Sequence, residues 1–226
     1  MSVEKTALRA VIRTRLRELN ADKALAAERS SRAARVLTES DAYKDAGAVL
    51  AFLSFGTEIK THDLVKQMLA DGKRVAIPRT FENEAASASK ACADNKTASA
   101  SKACAASDDA RMEFYWLSVD TPLEEQVEKG DFGILVPRES LPMVDPAALP
   151  EKTLMVLPGV AFSKAGWRLG QGRGFYDRFL ARIGSVSRIS LAGFCYALQL
   201  VNDVPHDAWD KPVDCVITED GIHPVI

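Results

Sequence analysis

Leu157-Pro-Gly-Val-Ala-Phe-Ser-Lys-Ala-Gly-Trp-Arg-Leu-Gly-Gln-Gly-Arg-Gly-Phe-Tyr-Asp-Arg-Phe-Leu180 joins an apolar run of strand length, Thr153–Leu157, to an amphipathic stretch that predicts a helix over Tyr176–Ile183. A buried strand followed by a glycine-rich connection and a helix is the local grammar of an α/β fold, and the chain repeats that alternation on both sides. Upstream, the apolar run from Ala48 ends at Ser54-Phe55-Gly56-Thr57. Thr61 then offers an N-cap for a helix carrying Leu64, Val65, Met68 and Leu69, closed by Asp71-Gly72, before a short strand Arg74–Pro78. Strand, helix, strand implies a parallel pair with a right-handed crossover. Downstream, Ile189–Phe194 and Val213–Thr218 read as two more strands; between the halves, Met112, Phe114 and Trp116 alternate as in a half-buried strand and Phe132–Val136 forms a short apolar run. The pattern predicts a three-layer α/β domain.

Two helices precede the first strand. Leu8, Val11, Ile12, Leu16 and Leu19 share one stripe of the first, while Lys5, Arg9 and Arg13 recur every fourth residue on another face. Asn20 is the expected cap of the second, whose apolar positions are Leu25, Ala33, Val36 and Leu37. Between about 82 and 110 the sequence turns Ala/Ser/Lys-rich, and the octapeptide Ala86–Ala93 returns verbatim as Ala98–Ala105. That stretch lacks large apolar residues and reads as a low-complexity insertion in a single domain spanning 1–226.

Composition excludes several classes. With 47% hydrophobic residues and a formal charge of −2, the chain can bury a sizeable core and has no global basic field for nucleic acid or membrane. The four cysteines, Cys92, Cys104, Cys195 and Cys215, form no C-x-x-C pair, which argues against zinc knuckles and disulfide frameworks. His62, His206 and His223 show no ligand spacing and read as surface or capping residues. The first residues lack a signal-peptide core, and no apolar run approaches the ~20 residues of a membrane span. A soluble, cytoplasmic monomer acting on small molecules is expected.

The glycine-rich stretch carries the chemistry. Gly166, Gly170, Gly172 and Gly174 let backbone approach a ligand closely, and exposed N–H groups followed by a helix amino end suit phosphate. Arg168 and Arg173 add charge-assisted donors. The Walker lysine-serine pair is absent, and the glycine spacing is not that of a dinucleotide fingerprint.

Pro158-Gly159 through Arg168-Leu169-Gly170, Gly172, Gly174 and Tyr176-Asp177 resembles the signature of 5-formyltetrahydrofolate cyclo-ligases. Lys5, Arg9, Phe52-Leu53-Ser54 with Glu58, Ile77-Pro78-Arg79, Gln199 and Asp210–Asp214 agree with that family in order, so the resemblance spans nearly the whole chain outside the insertion. It implies a three-layer α/β/α sandwich with a mostly parallel, Rossmann-like central sheet, and an ATP- and Mg2+-dependent closure of 5-formyltetrahydrofolate to 5,10-methenyltetrahydrofolate. ATP phosphorylates the formyl oxygen, the folate N10 attacks, and phosphate leaves. It further implies an ATP-contacting set of Lys5, Arg9, Arg168, Leu169, Gly170, Gln171, Gly172, Arg173, Gly174, Phe175 and Tyr176, with Arg168, Arg173 and Tyr176 nearest the chemistry. Leu53, Glu58, Gln171, Arg173 and Phe175 correspond to folate-contacting positions, and Asp177 and Asp210 to magnesium positions, with Asp214 the competitor for the second. Trp209 stands where the family often has His, and Phe175 where it has Tyr. Two other readings compete: an ATP-independent sugar-phosphate isomerase or acyl-transferase on the same fold, and a non-enzymatic RNA-associated binder using the basic first helix.

Overall fold

The computed structural model describes residues 2–81, 111–130, 133–183, 189–207 and 210–225. The duplicated insertion, with Cys92 and Cys104, therefore lies outside the described residues, as do Phe132 and Trp209.

Helices α1 (Val3–Ala21), α2 (Lys23–Glu39) and α3 (Asp41–Asp45) lead into strand β1 (Ala48–Leu50). Helix α4 (His62–Ala70) connects β1 to β2 (Arg74–Phe81), which pairs with β3 (Arg111–Trp116). A short helix α5 (Leu123–Gln126) and a hairpin of β4 (Val127–Lys129) and β5 (Leu135–Pro137) come next. Strands β6 (Thr153–Leu157), β7 (Ala161–Ser163) and β8 (Arg168–Leu169) precede helix α6 (Phe175–Arg182). Strands β9 (Ile189–Phe194), β10 (Leu200–Val201), β11 (Cys215–Thr218) and β12 (Gly221–Pro224) complete the chain.

The central sheet has the order β12-β11-β9-β6-β1-β2-β3. Its inner strands run parallel, and β12 and β3 are antiparallel edges. Both faces are covered, which is why β1 and β6 read as unbroken apolar runs and are buried at every residue. Val49, Leu154, Val156, Phe194 and Ile217 point into one core with Ile12 and Leu16 of α1, Leu37 of α2 and Val65 of α4. Leu50, Met155, Leu157 and Val216 point into the other, with Phe114, Phe162 and Phe179. The period-two alternation of neighbouring strand residues between the two cores confirms the three-layer expectation.

Local details depart from the sequence reading for identifiable reasons. Asn20 does not cap α2: Asp22 does, accepting from the Leu25 N–H at 2.9 Å, while buried Asn20 donates to the carbonyls of Leu16 and Thr57. Val11 and Leu25, placed on apolar stripes, are exposed, and Ala26 takes the core position on α2. Thr61 stands at the start of α4, but its hydroxyl donates to the Phe52 carbonyl at 2.7 Å and accepts from the Ser54 N–H, tying the loop to itself instead of capping the helix. Strand β2 runs through Pro78 to Phe81, because β1 pairs no farther than Ala76 and the missing proline N–H is needed by no neighbour on that side. Helix α6 begins one residue earlier than read, at Phe175, and β11 begins only at Cys215.

The glycine-rich segment is also more ordered than a loop. Its first half is the β7–β8 hairpin, extended by β10 into a small sheet of its own. Gly166 turns the hairpin with φ +80°, and a Cβ there would come within 2.5 Å of the Val213 carbonyl oxygen. The fully buried Phe162 ring of β7 packs against β9 at Gly193, where a Cβ would sit 2.5 Å from its Cε1. Gly193→Ala is therefore expected to destabilise the fold by about 1–3 kcal/mol through overpacking, read as a lower urea midpoint with unchanged slope. An unaltered midpoint would show that the ring does not rest there.

Candidate active site

The chain passes from β1 to β2 on one side, whereas β6 pairs on the other, so β1 and β6 flank the point where strand order reverses. In open α/β sheets the crevice outside the carboxyl ends at that point is the place for a ligand. Two segments leave it here: residues 51–61 after β1 and 158–174 after β6.

Helix α1 is laid across this edge by its basic row. Lys5 Nζ lies 2.5 Å from Asp207 Oδ2 and 3.2 Å from Asp210 Oδ2, in the segment after β10. One turn on, Arg9 Nε donates to the Gly170 carbonyl at 2.9 Å, and Arg13 donates to Gln171 Oε1 at 2.6 Å. At the far end Asn20 donates to the Thr57 carbonyl. Arg9 is 8% exposed, so this face of α1 is not an ordinary solvated one. Gln199 braces the same edge, donating to the Gly159 and Val160 carbonyls while its Oε1 accepts from the Tyr196 N–H.

Under α1, Arg168 donates to Asp177 Oδ1 at 2.5 Å and stands 5.4 Å from the centre of the Tyr176 ring. The Arg168 side chain is 6% exposed and Asp177 occupies the first turn of α6, where a carboxylate is favoured. Gly174 precedes α6 in the left-handed region, φ +65°, with no side-chain cap on the helix. Uncapped N–H groups at the amino end of a helix are donors ready for an anionic oxygen. Gly172 also has positive φ, 104°, whereas Gly170 is not in that region.

Glu58 faces this loop from the β1 side. Its carboxylate accepts from the Phe55 N–H at 2.9 Å and from the Gln171 side chain. Burial pushes its pKa up, against the opposing pull of those hydrogen bonds and Lys60. Burial also raises the pKa of the Tyr176 hydroxyl, reinforced by Glu58 and opposed by Arg168. Glu58, Gln171, Tyr176 and Arg168 thus share one electrostatic neighbourhood.

Pairwise contacts therefore string Lys5, Arg9, Arg168, Gly170, Gln171, Gly174, Tyr176, Asp177, Asp210 and Glu58 along one end of the sheet. Gln171, Gly172 and Arg173 are exposed on its loop, and Phe175 is half-buried beneath the Arg178 guanidinium. Two positions contribute differently. Leu169 is buried in β8 and Leu53 belongs to the core, so neither side chain is freely presented. Asp214 stands at the amino end of β11 and accepts from the Leu191 N–H at 2.7 Å, a bracket between strands and not a crevice residue. Asp207 and Arg13 were missed as site residues; the four-residue spacing from Lys5 was the available signal for Arg13, and none marked Asp207. Asp177 is paired with Arg168 and Asp210 with Lys5, and among the described residues no cluster of three or more metal-ligating side chains forms, so magnesium would rest on single carboxylates completed by phosphate and water.

A family model described as the 5-formyltetrahydrofolate cyclo-ligase family matches residues 1–219. A 5-formyltetrahydrofolate cyclo-ligase of Haemophilus influenzae is 39% identical over 94 residues, 42% of this chain and 46% of that protein. The mouse 5-formyltetrahydrofolate cyclo-ligase is 26% identical over 224 residues, covering 96% of this chain and 94% of its own. The solved structure of Aquifex aeolicus 5,10-methenyltetrahydrofolate synthetase superimposes with a TM-score of 0.71 at 24% identity, covering 98% of this chain and 92% of that one, and shares the fold. Among the described residues no helix is long and apolar enough to cross a membrane.

Because Glu58 is held in the folded protein at a raised pKa, its ionised form costs stability there. The deficit is absent below the unfolded pKa, grows as pH rises toward the folded pKa, and is full above it. Glu58→Gln should accordingly unfold at a higher temperature than the unaltered protein at pH 7, with the gap closing as pH falls to 4. A gap independent of pH would show that Glu58 is not desolvated.

Proposed function

The chain belongs to the 5-formyltetrahydrofolate cyclo-ligase family, and we propose that it uses ATP to convert 5-formyltetrahydrofolate into 5,10-methenyltetrahydrofolate, ADP and phosphate. The observation that carries this reading is the meeting of two chemistries in one crevice. A cationic glycine loop roofed by the basic row of α1 suits a triphosphate, and Glu58 beside it suits the amino group of a pterin.

In this reading Lys5, Arg9 and Arg168 neutralise phosphate oxygens, and the amino end of α6 with the backbone from Gly170 to Gly174 cradles them. Arg173 lies on the same loop and Tyr176 in the first turn of α6, and in this reading both face the transferring phosphoryl group. Glu58 orients the folate, with Gln171 linking its carboxylate to α1 through Arg13. Asp177 and Asp210 would hold magnesium, whose charge offsets that of the phosphates. Phosphorylation of the formyl oxygen makes it a good leaving group, and N10 then attacks the same carbon within one molecule. Ring closure thus needs orientation more than acid–base help, which a crevice preorganised by buried ion pairs supplies.

The test is absorbance of the methenyl product when purified protein meets 5-formyltetrahydrofolate, ATP and magnesium, beside mixtures lacking ATP or metal and an Asp177→Asn variant. The asparagine keeps an oxygen for Arg168 while removing the charge. Product only in the complete mixture, with a loss of roughly 100-fold or more in the variant, is expected. Product without ATP would overturn the reading and favour an ATP-independent enzyme.

A further inference from the structure

Asp207 has no part in the reaction as assigned so far. Yet it is bound to the first residue of the basic row, its Oδ2 lying 2.5 Å from Lys5 Nζ, and the same ammonium lies 3.2 Å from Asp210 Oδ2. The two aspartates are locked together: the Asp207 N–H donates to Asp210 Oδ2 at 2.9 Å, and the Asp210 N–H donates to the Asp207 carbonyl at 3.0 Å. The turn itself is fastened to the β7–β8 hairpin, because the ring of His206 stacks on Trp167 with centroids 3.7 Å apart and planes 6° from parallel. The Asp207 side chain is 48% exposed, but its backbone contacts to Asp210 and the neighbouring His206 stack anchor it beside Lys5.

One ammonium between two carboxylates leaves one of the two negative charges unmatched by Lys5. Lys5 cannot turn to a phosphate without exposing both carboxylates to the same anion, and at such distances that repulsion is substantial. Asp210 can exchange the ammonium for a divalent cation, and Lys5 is then released toward phosphate with the charge on the aspartates still balanced. The arrangement opposes a bare triphosphate and accepts one that arrives with its metal. We propose that Asp207 is a positioning residue that, acting through Lys5, makes the site select the metal complex of a nucleoside triphosphate over the metal-free form. This rests on reading the crevice as a nucleotide site.

The experiment is calorimetric titration of the full chain with a non-hydrolysable ATP analogue, with magnesium and with chelator, for the unaltered protein, Asp207→Asn and Asp207→Glu. The unaltered protein should prefer the metal complex strongly. Asp207→Asn should bind the metal-free analogue about tenfold more tightly, narrowing the preference, while Asp207→Glu keeps it. Weaker binding of both forms alike in Asp207→Asn would mean that Asp207 only supports the turn, and an unchanged ratio would mean that it does not act on the nucleotide; either overturns the proposal. Binding of neither form by the unaltered protein would overturn the nucleotide reading itself.

Discussion

The hydrogen bond from the Arg9 guanidinium to the Gly170 carbonyl joins the first helix of the chain to the glycine loop more than 150 residues away, and the crevice exists because of it. Without it α1 would be an amphipathic helix resting on the sheet by Ile12, Leu16 and Leu19 alone. Apolar burial of about 1.5–3 kcal/mol per side chain holds such a helix to the core but does not choose its azimuth or its reach along the strand ends. The polar contacts of Lys5, Arg9, Arg13 and Asn20 do that, touching in turn the segments that follow β10, β6 and β1. A helix that would pass for generic packing thereby becomes the roof of a site.

The site is furnished with charges that already have partners. Arg168 is nearly buried and would be costly there alone, so Asp177 accompanies it; Lys5 is accompanied by Asp207 and Asp210. Such pairs contribute little net stability compared with apolar replacements, because desolvation offsets attraction. In the proposed reading their use is that cations and anions stand at fixed positions and exchange partners when a polyanion with its own counter-cation arrives. Glu58 follows a related logic: burial pushes its pKa up while a backbone N–H and an amide hold its carboxylate. A positively polarised ligand group beside it would favour the charged form.

Much of this was legible in the sequence where a single physical signal dominates. The parallel strands were, because burial on both faces leaves unbroken apolar runs such as Thr153–Leu157. The glycine loop was, because no packed core needs so many glycines beside arginines. Less legible were features decided by partners distant along the chain. Nothing local distinguishes Asn20, a bridge to Thr57, from an N-cap, or Asp214, a bracket on β9, from a ligand of the crevice. Asp207 carries no motif at all and acquires meaning only from its place beside Lys5. The hairpin inside the glycine segment was hidden because its strands are two and three residues long, too short for periodicity to register.

Whether nucleotide and folate meet between β1 and β6 beneath α1 is tested most directly by a structure of the protein with magnesium and a non-hydrolysable ATP analogue. The phosphate chain is expected between Lys5 and Arg9 on one side and the backbone from Gly170 to Gly174 on the other, with metal at Asp177 or Asp210 and Glu58 untouched by the nucleotide. Nucleotide lodged at the opposite edge of the sheet, beside Asp214 and the amino ends of β6 and β9, would contradict it.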